Sequence, residues 1–266
     1  MTRPVRLAIN GASGRMGNAL LEMLGADARF TLVHAVVAPD SAHVGERVFP
    51  GVADSVRYAH DWSQAPAIDV VIDFSGPAGL TAALEHCQLH GAALVSGTTG
   101  LDAALEARLA DAGQRVAILR AANFSLGVAV LMRLLREAAA ALPSWDLEIV
   151  EAHHGRKQDA PSGTALALGC AAAAARHTTL EASAAYGRKG HTGERGEGDI
   201  GFAVVRGGDI VGEHTAMLVG RGERLELVHR ATDRSIFARG ALQAAYWLAG
   251  REPGHWQLDD VVASSR

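Results

Sequence analysis

The 266-residue chain has two cysteines, no apolar run long enough for a membrane, and no surplus of positive charge. Each shortage excludes something. Cys87 and Cys170 lie far apart in apolar, helix-like contexts without CxxC or metal spacing. Two buried thiols in a reducing compartment are expected, with a single disulfide as the alternative. A membrane helix needs about 20 consecutive apolar residues; the alanine-rich stretches 138–141 and 171–175 are too short and lie inside amphipathic patterns. At the amino end, MTRPVRLAINGASG breaks into glycines before a signal-peptide core can form. The formal charge of −4 gives no electrostatic footprint for nucleic acid. A soluble, cytoplasmic protein without membrane or nucleic-acid partners is expected.

The first half alternates short apolar runs with helical periodicity. Val5–Asn10, Thr31–Val37, Ile68–Phe74, Ala92–Ser96 and Val116–Leu119 read as strands. Leu20, Leu21 and Leu24 recur at helical spacing, and 79–90 and 102–112 are helix-like. Continuously apolar strands suit a parallel sheet covered on both faces. The expected fold class is α/β: a Rossmann-like doubly wound parallel sheet, followed by a second α+β domain with a mixed or antiparallel sheet. The first domain is expected over 1–124, completed by 235–266, and the second over 125–234.

Ligands bind doubly wound sheets at the carboxyl ends of the strands. Small or polar loops follow four of the strands: GASGRMG after the first, Ser75-Gly76-Pro77 after the third, Gly97-Thr98-Thr99-Gly100 after the fourth and Ala121-Ala122-Asn123-Phe124 after the fifth. Gly11 permits a tight turn, Gly14 lets backbone approach a pyrophosphate, and Gly17 allows close packing, with a helix N-terminus beyond to receive phosphate. Set against an ordinary strand–helix turn, dinucleotide binding is the preferred reading. The acid that usually binds the ribose 2′-hydroxyl is missing, since the second strand ends Ala35-Val36-Val37-Ala38-Pro39. NADH and NADPH therefore both stay open as cofactor. Arg15 reads equally well as a contact to a 2′-phosphate or as a solvated arginine.

The second half carries EAHHGRKQDAPSGTA, residues 151–165. A strand over 146–151 places His153 and His154 at its end, and Ser162 is the expected N-cap of an alanine-rich helix. The N–H groups of Gly163 and Thr164 would point out of that helix start toward a carboxylate. Adjacent residues of an extended segment point to opposite faces, so one metal could not easily take both histidines. No metal site is expected. Imidazole and ammonium instead suit proton transfer near neutral pH. Residues 186–199 read as a solvated mobile loop, with His191 and Arg195 as its candidates for reaching a ligand. Runs 200–206, 213–219 and 224–229 alternate as strands, and 236–248 is an amphipathic helix returning to the first domain.

Taken together, GASGRMG, SGTTG, AANFSLGV, EAHHGRKQDAPSGTA, GHTGER, GDIVGEHT and FARGA resemble the dihydrodipicolinate reductase family over nearly the whole chain. The resemblance implies a homotetramer built on the second domain. It also implies hydride transfer from NADH or NADPH to a cyclic unsaturated dicarboxylate with loss of water, on the diaminopimelate route to lysine. Carried over by motif, His153 and Lys157 would handle protons, and His154, Gly163 and Thr164 would hold the substrate carboxylate. Gly11, Ala12, Ser13, Gly14, Arg15, Met16, Gly97, Thr98, Thr99, Ala121, Ala122, Asn123 and Phe124 would line the cofactor. Closure of the two domains over the ligands would exclude water from hydride transfer. A semialdehyde or acyl-phosphate dehydrogenase on a similar cofactor domain would need a nucleophilic cysteine, and neither cysteine fits. A non-catalytic nucleotide sensor is opposed by the His153/Lys157 pair.

Overall fold

The structure is a computed structural model, described over residues 3–264. The ends of the expected first domain, 1–2 and 265–266, lie outside the described residues. Contacts divide the chain into two compact units, Met1–Ser125 with Ser235–Arg266, and Leu126–Arg234.

The first unit begins with β1 (Val5–Asn10), α1 (Arg15–Leu24), β2 (Phe30–Val36), β3 (Tyr58–Ala59), β4 (Val70–Asp73), α2 (Pro77–His90), β5 (Ala93–Ser96), α3 (Ala103–Ala112) and β6 (Ala117–Arg120). The second unit holds α4 (Leu126–Ala141), β7 (Asp146–His153), α5 (Gly163–Ala175), α6 (Leu180–Ser183), β8 (Ala184–Ala185), β9 (Ile200–Arg206), β10 (Gly212–Val219) and β11 (Arg224–Ala231). The chain then rejoins the first unit through α7 (Ser235–Leu248), β12 (Gly254–Trp256) and α8 (Leu258–Ala263).

Among the described residues the first unit's sheet runs β12-β6-β5-β4-β1-β2-β3, all parallel. Its strands are buried on both faces, as their unbroken apolar character requires. One face packs Ala8, Val71, Leu94 and Ile118 against Leu80, Leu84, Leu105 and Leu109 of α2 and α3. On the other, α7 lies against β4, β5 and β6 and beside α1. Ala238, Ala241, Ala244 and Ala245 of α7 are fully buried, and side chains this small let a helix approach closely. The chain reverses its direction across the sheet between β1 and β4, the switch point where such sheets open a crevice.

The second unit's sheet runs β11-β10-β7-β9-β8. β10 is antiparallel to both β7 and β11, whereas β9 is parallel to β7, so the sheet is mixed. Leu147, Ile149, Ile200, Phe202, Ala216 and Leu218 face α4 and α5, burying Leu131, Leu135 and Leu168 between them. Strands and helices of both units follow the periodicities of the sequence to within one to three residues at their ends. The short β3, β8 and β12, with α6 and α8, were not anticipated.

Candidate active site

In the first unit, β6, β5, β4 and β1 are consecutive neighbours, so the four loops that follow them lie side by side along one sheet edge. Gly11 turns at φ +80°, and a β-carbon there would stand 2.6 Å from the Phe74 carbonyl oxygen. A β-carbon on Gly17 would collide with the Gly11 and Ala12 carbonyls, so only glycine lets α1 start this close to the turn. No side chain caps the start of α1, and no acidic residue occupies its first turn. An N-terminus left in that state is suited to an anionic group.

Two clefts open along this edge. The larger, of about 600 Å³, is lined by Gly11, Ser13 and Gly14, by Val36–Pro39, and by His60, Asp61 and Trp62. The smaller, of about 280 Å³, is lined by Arg15, Met16, Phe74, Gly97, Thr98 and Thr99. Ala12 is buried beneath the first turn, where its N–H and that of Gly11 donate to the Val36 carbonyl. Ala121–Phe124 line neither cleft: Asn123 Oδ1 accepts from the Ser125 N–H at 2.8 Å, and Phe124 is buried edge-on against Phe74.

Asp73 holds this edge together, and sequence reasoning missed it. The parallel register sets it between Asn10 on β1 and Ser96 on β5. Its fully buried carboxylate accepts from Asn10 Nδ2 at 2.8 Å, Ser75 Oγ at 2.5 Å, Ser96 Oγ at 2.7 Å and Thr98 Oγ1 at 2.7 Å. One carboxylate thereby fixes the exits of three strands. An acid closing an otherwise apolar run was its signal in the sequence.

The second unit's site grows from the end of β7. Residues two apart on a strand share a face, so Glu151 and His153 stand together, with His214 opposite Glu151 and Arg206 opposite His153. Glu151 is buried. Arg206 grips both its oxygens at 2.7 Å, the Ser162 N–H donates at 2.9 Å, and His153 Nδ1 lies 2.6 Å from Oε2. Burial alone would raise the Glu151 pKa; hydrogen bonds from Arg206, His153 and the Ser162 N–H outweigh it and hold the carboxyl below its ordinary range. With Nδ1 turned to the carboxylate, His153 keeps Nε2 for other partners.

Ser162 caps α5 as expected, its Oγ accepting from the Ala165 N–H, with His214 Nε2 3.1 Å from the same oxygen. Gly163 and Thr164 open the helix. Burial, then the nearby His153, pushes the His214 pKa down to about 4. Lys157, in the turn after His154, pairs with Asp159 at 2.8 Å. Burial of the His154 ring and the charges of Arg234, Arg156, His153 and Lys157 lower its pKa, and its buried Nδ1 has no hydrogen-bond partner among the described residues. That group of cations offers itself to a carboxylate.

The family model described as "Dihydrodipicolinate reductase, N-terminus" matches residues 5–124, and that described as "Dihydrodipicolinate reductase, C-terminus" matches 127–262. The chain belongs to the dihydrodipicolinate reductase family. It is 50% identical over 263 residues to the 4-hydroxy-tetrahydrodipicolinate reductase of Thiobacillus denitrificans, covering 97% of this chain and 98% of that one. To the protein of the same name from Pseudomonas fluorescens it is 46% identical over 263 residues, again with 97% and 98% covered. Among solved structures, a dipicolinate-bound dihydrodipicolinate reductase from Paenisporosarcina sp. TG-14 superposes with a TM-score of 0.79 at 22% identity, covering 97% of this chain and 99% of that one. A myo-inositol dehydrogenase from Corynebacterium glutamicum shares the fold more loosely, with a TM-score of 0.58 at 13% identity and coverage of 98% and 93%.

Within this reductase-family chain three expectations need correction. Cys170 is exposed rather than buried, because it falls on the outer side of α5. The strand carrying the histidines runs to His153 and does not stop at Glu151. Arg195 is committed to its own unit: it bonds Asp146 and Glu148 and the carbonyls of Leu147 and Asp199, which ties the 186–199 loop to β7. His191, in the same loop, is exposed. Cys87 is fully buried, and burial pushes its thiol pKa up, which removes it as a nucleophile. Among the described residues no helix is long and apolar enough to cross a membrane, and no group of three His, Cys, Asp or Glu could hold a metal ion.

Proposed function

We propose that the protein catalyses the reaction its curated relatives are named for, reducing a cyclic 4-hydroxy dicarboxylate to tetrahydrodipicolinate. One hydride and one proton enter and one water leaves. The observation that carries this reading is the assembly at the end of β7, where buried Glu151 binds both His153 and the amino end of α5, with Lys157 in the turn that follows.

A pyridine nucleotide bound in the first unit would supply the hydride. Gly11–Met16 with Gly97–Thr99 fit it, because the glycine turn keeps side chains away and the uncapped start of α1 receives phosphate. Ala121–Phe124, on the neighbouring loop, complete the edge. In the second unit His154, Gly163 and Thr164 hold a substrate carboxylate, drawn in by Arg156, Lys157 and Arg234. A bound carboxylate beside His154 opposes the cations that depress its pKa, so the imidazolium is favoured in the complex. Lys157 delivers the proton from Nζ after exchanging Asp159 for substrate, and His153, oriented through Nδ1, moves protons through Nε2.

The working form is a cytoplasmic homotetramer. The sheet face turned away from α4 and α5 leaves Val205 and Val228 48% and 42% exposed, an apolar surface suited to sheet-on-sheet packing.

The test is oxidation of NADH and of NADPH, followed at the nicotinamide absorbance, with substrate generated in place from pyruvate and aspartate semialdehyde by the preceding synthase. Synthase-dependent oxidation is expected. A folded, nucleotide-binding protein without it would overturn the assignment in favour of a sensor.

A further inference from the structure

We infer that Asp61, at the exit of β3, reads the adenosine ribose of the cofactor in place of the absent β2 acid and makes the protein prefer NADH to NADPH. This rests on the nucleotide site proposed for the first unit and deepens it.

The first support is register. β3 pairs with β2 in parallel, Val36 opposite Ala59, and the Val37 N–H donates to the Ala59 carbonyl at 2.9 Å, carrying the pairing past the strand ends. Continued by two residues, the register sets Asp61 beside Ala38. An acid missing from one strand end is thus present on the next, one interstrand spacing of about 4.8 Å away.

The second is the composition of the larger cleft. His60, Asp61 and Trp62 line it together with the glycine turn and Val36–Pro39. Its ionisable lining residues are His60 and Asp61, and neither lysine nor arginine is among them. Arg15, the residue that could have met a 2′-phosphate, lines the smaller cleft with Phe74, Thr98 and Thr99.

The third is that Asp61 is both fixed and accessible. Oδ1 accepts from the Ser63 N–H at 3.0 Å and from Ser63 Oγ at 2.8 Å, while Oδ2 lies 3.2 Å from His60 Nε2. Half of the side chain remains exposed. Those Ser63 hydrogen bonds hold the carboxyl below its ordinary range, so it is an anion across the working pH range. A ribose hydroxyl can donate to such an oxygen. A 2′-phosphate cannot donate, adds nearly two negative charges, and finds neither lysine nor arginine in the lining.

The experiment is titration of NADH and NADPH into the protein by nicotinamide fluorescence, without substrate, for wild type, Asp61→Asn and Ala38→Arg, with the coupled turnover measured in parallel. Asp61→Asn keeps an acceptor for Ser63 and removes the charge. Wild type is expected to bind NADH about tenfold or more tightly than NADPH, from one charge-assisted hydrogen bond gained and one repulsion avoided. Asp61→Asn should bring the two affinities within about threefold, and Ala38→Arg should shift preference toward NADPH. Equal or tighter binding of NADPH by wild type, or an unchanged ratio in Asp61→Asn, would overturn the inference. Failure of wild type to bind either nucleotide would instead overturn the nucleotide site itself.

Discussion

Each unit buries a carboxylate at the carboxyl end of a central strand, and the two are satisfied in opposite ways. Asp73 takes its hydrogen bonds from a side-chain amide, three hydroxyls and the Ser75 backbone N–H, all neutral and all on the exits of β1, β4 and β5. Glu151 is held by a guanidinium, an imidazole and one backbone N–H. Neutral donors fix loop positions whatever the pH, which suits a surface that must present backbone to a ligand in one shape. Ionisable donors couple the carboxylate to protons, which suits a site that must move them. On the proposed function, architecture is concentrated around the first acid and chemistry around the second.

The strongest test of that division is Lys157→Ala. Turnover should fall about 10²- to 10⁴-fold, the usual worth of a positioned proton donor, while nucleotide affinity of the first unit stays unchanged. Undiminished turnover would remove Lys157 from the mechanism. Next in size is Asp73→Ala, which removes the acceptor shared by Asn10, Ser75, Ser96 and Thr98 beneath the loops. It should cost about 2–4 kcal/mol of stability and weaken nucleotide binding; thermal melts with and without NADH would show both. If turnover alone suffered, the architectural role of Asp73 would be wrong.

A smaller effect comes through His214. Its folded pKa of about 4 lies below its ordinary value of 6.5, so the unfolded chain binds the extra proton between those values. Stability is then fully present above 6.5 and is lost as pH falls toward 4, by roughly 3 kcal/mol. His214→Gln should flatten that decline in a pH series of denaturant melts; an equally steep decline would place the acid sensitivity elsewhere. The smallest change is expected from Arg195→Ala. Its partly buried bonds to Glu148 and to the Leu147 and Asp199 carbonyls hold a loop in place rather than a ligand, so turnover should stay within about twofold. A large loss of activity would restore the ligand-reaching role that its contacts to Asp146 and Glu148 argue against.

Much of this was legible in the sequence, for physical reasons. Continuous apolar strands are legible because burial on both faces leaves no alternation to misread. The Ser162 cap is legible because the cap lies within three residues of what it bonds. Asp73 was not, because its partners come from Asn10, Ser75, Ser96 and Thr98, which only the sheet order brings together. For the same reason Asp61 was invisible: the missing acid was sought on β2, and register alone shows that β3 ends at the same edge. Cys170 was misplaced because an alanine-rich helix has no polar stripe to mark its outer side.

The closing of the first unit's sheet by α7 also sets an order of events on the ribosome. Strands β1 to β6 are made first, yet α7 follows only after residues 126–234. At ordinary rates of synthesis that interval lasts roughly 5–20 seconds. The nascent sheet passes it with the face of β4, β5 and β6 that receives α7 bare, while the second unit, uninterrupted in the chain, can already fold. The portion translated first is the last to be completed, and a holdase would find its client in that half-covered sheet.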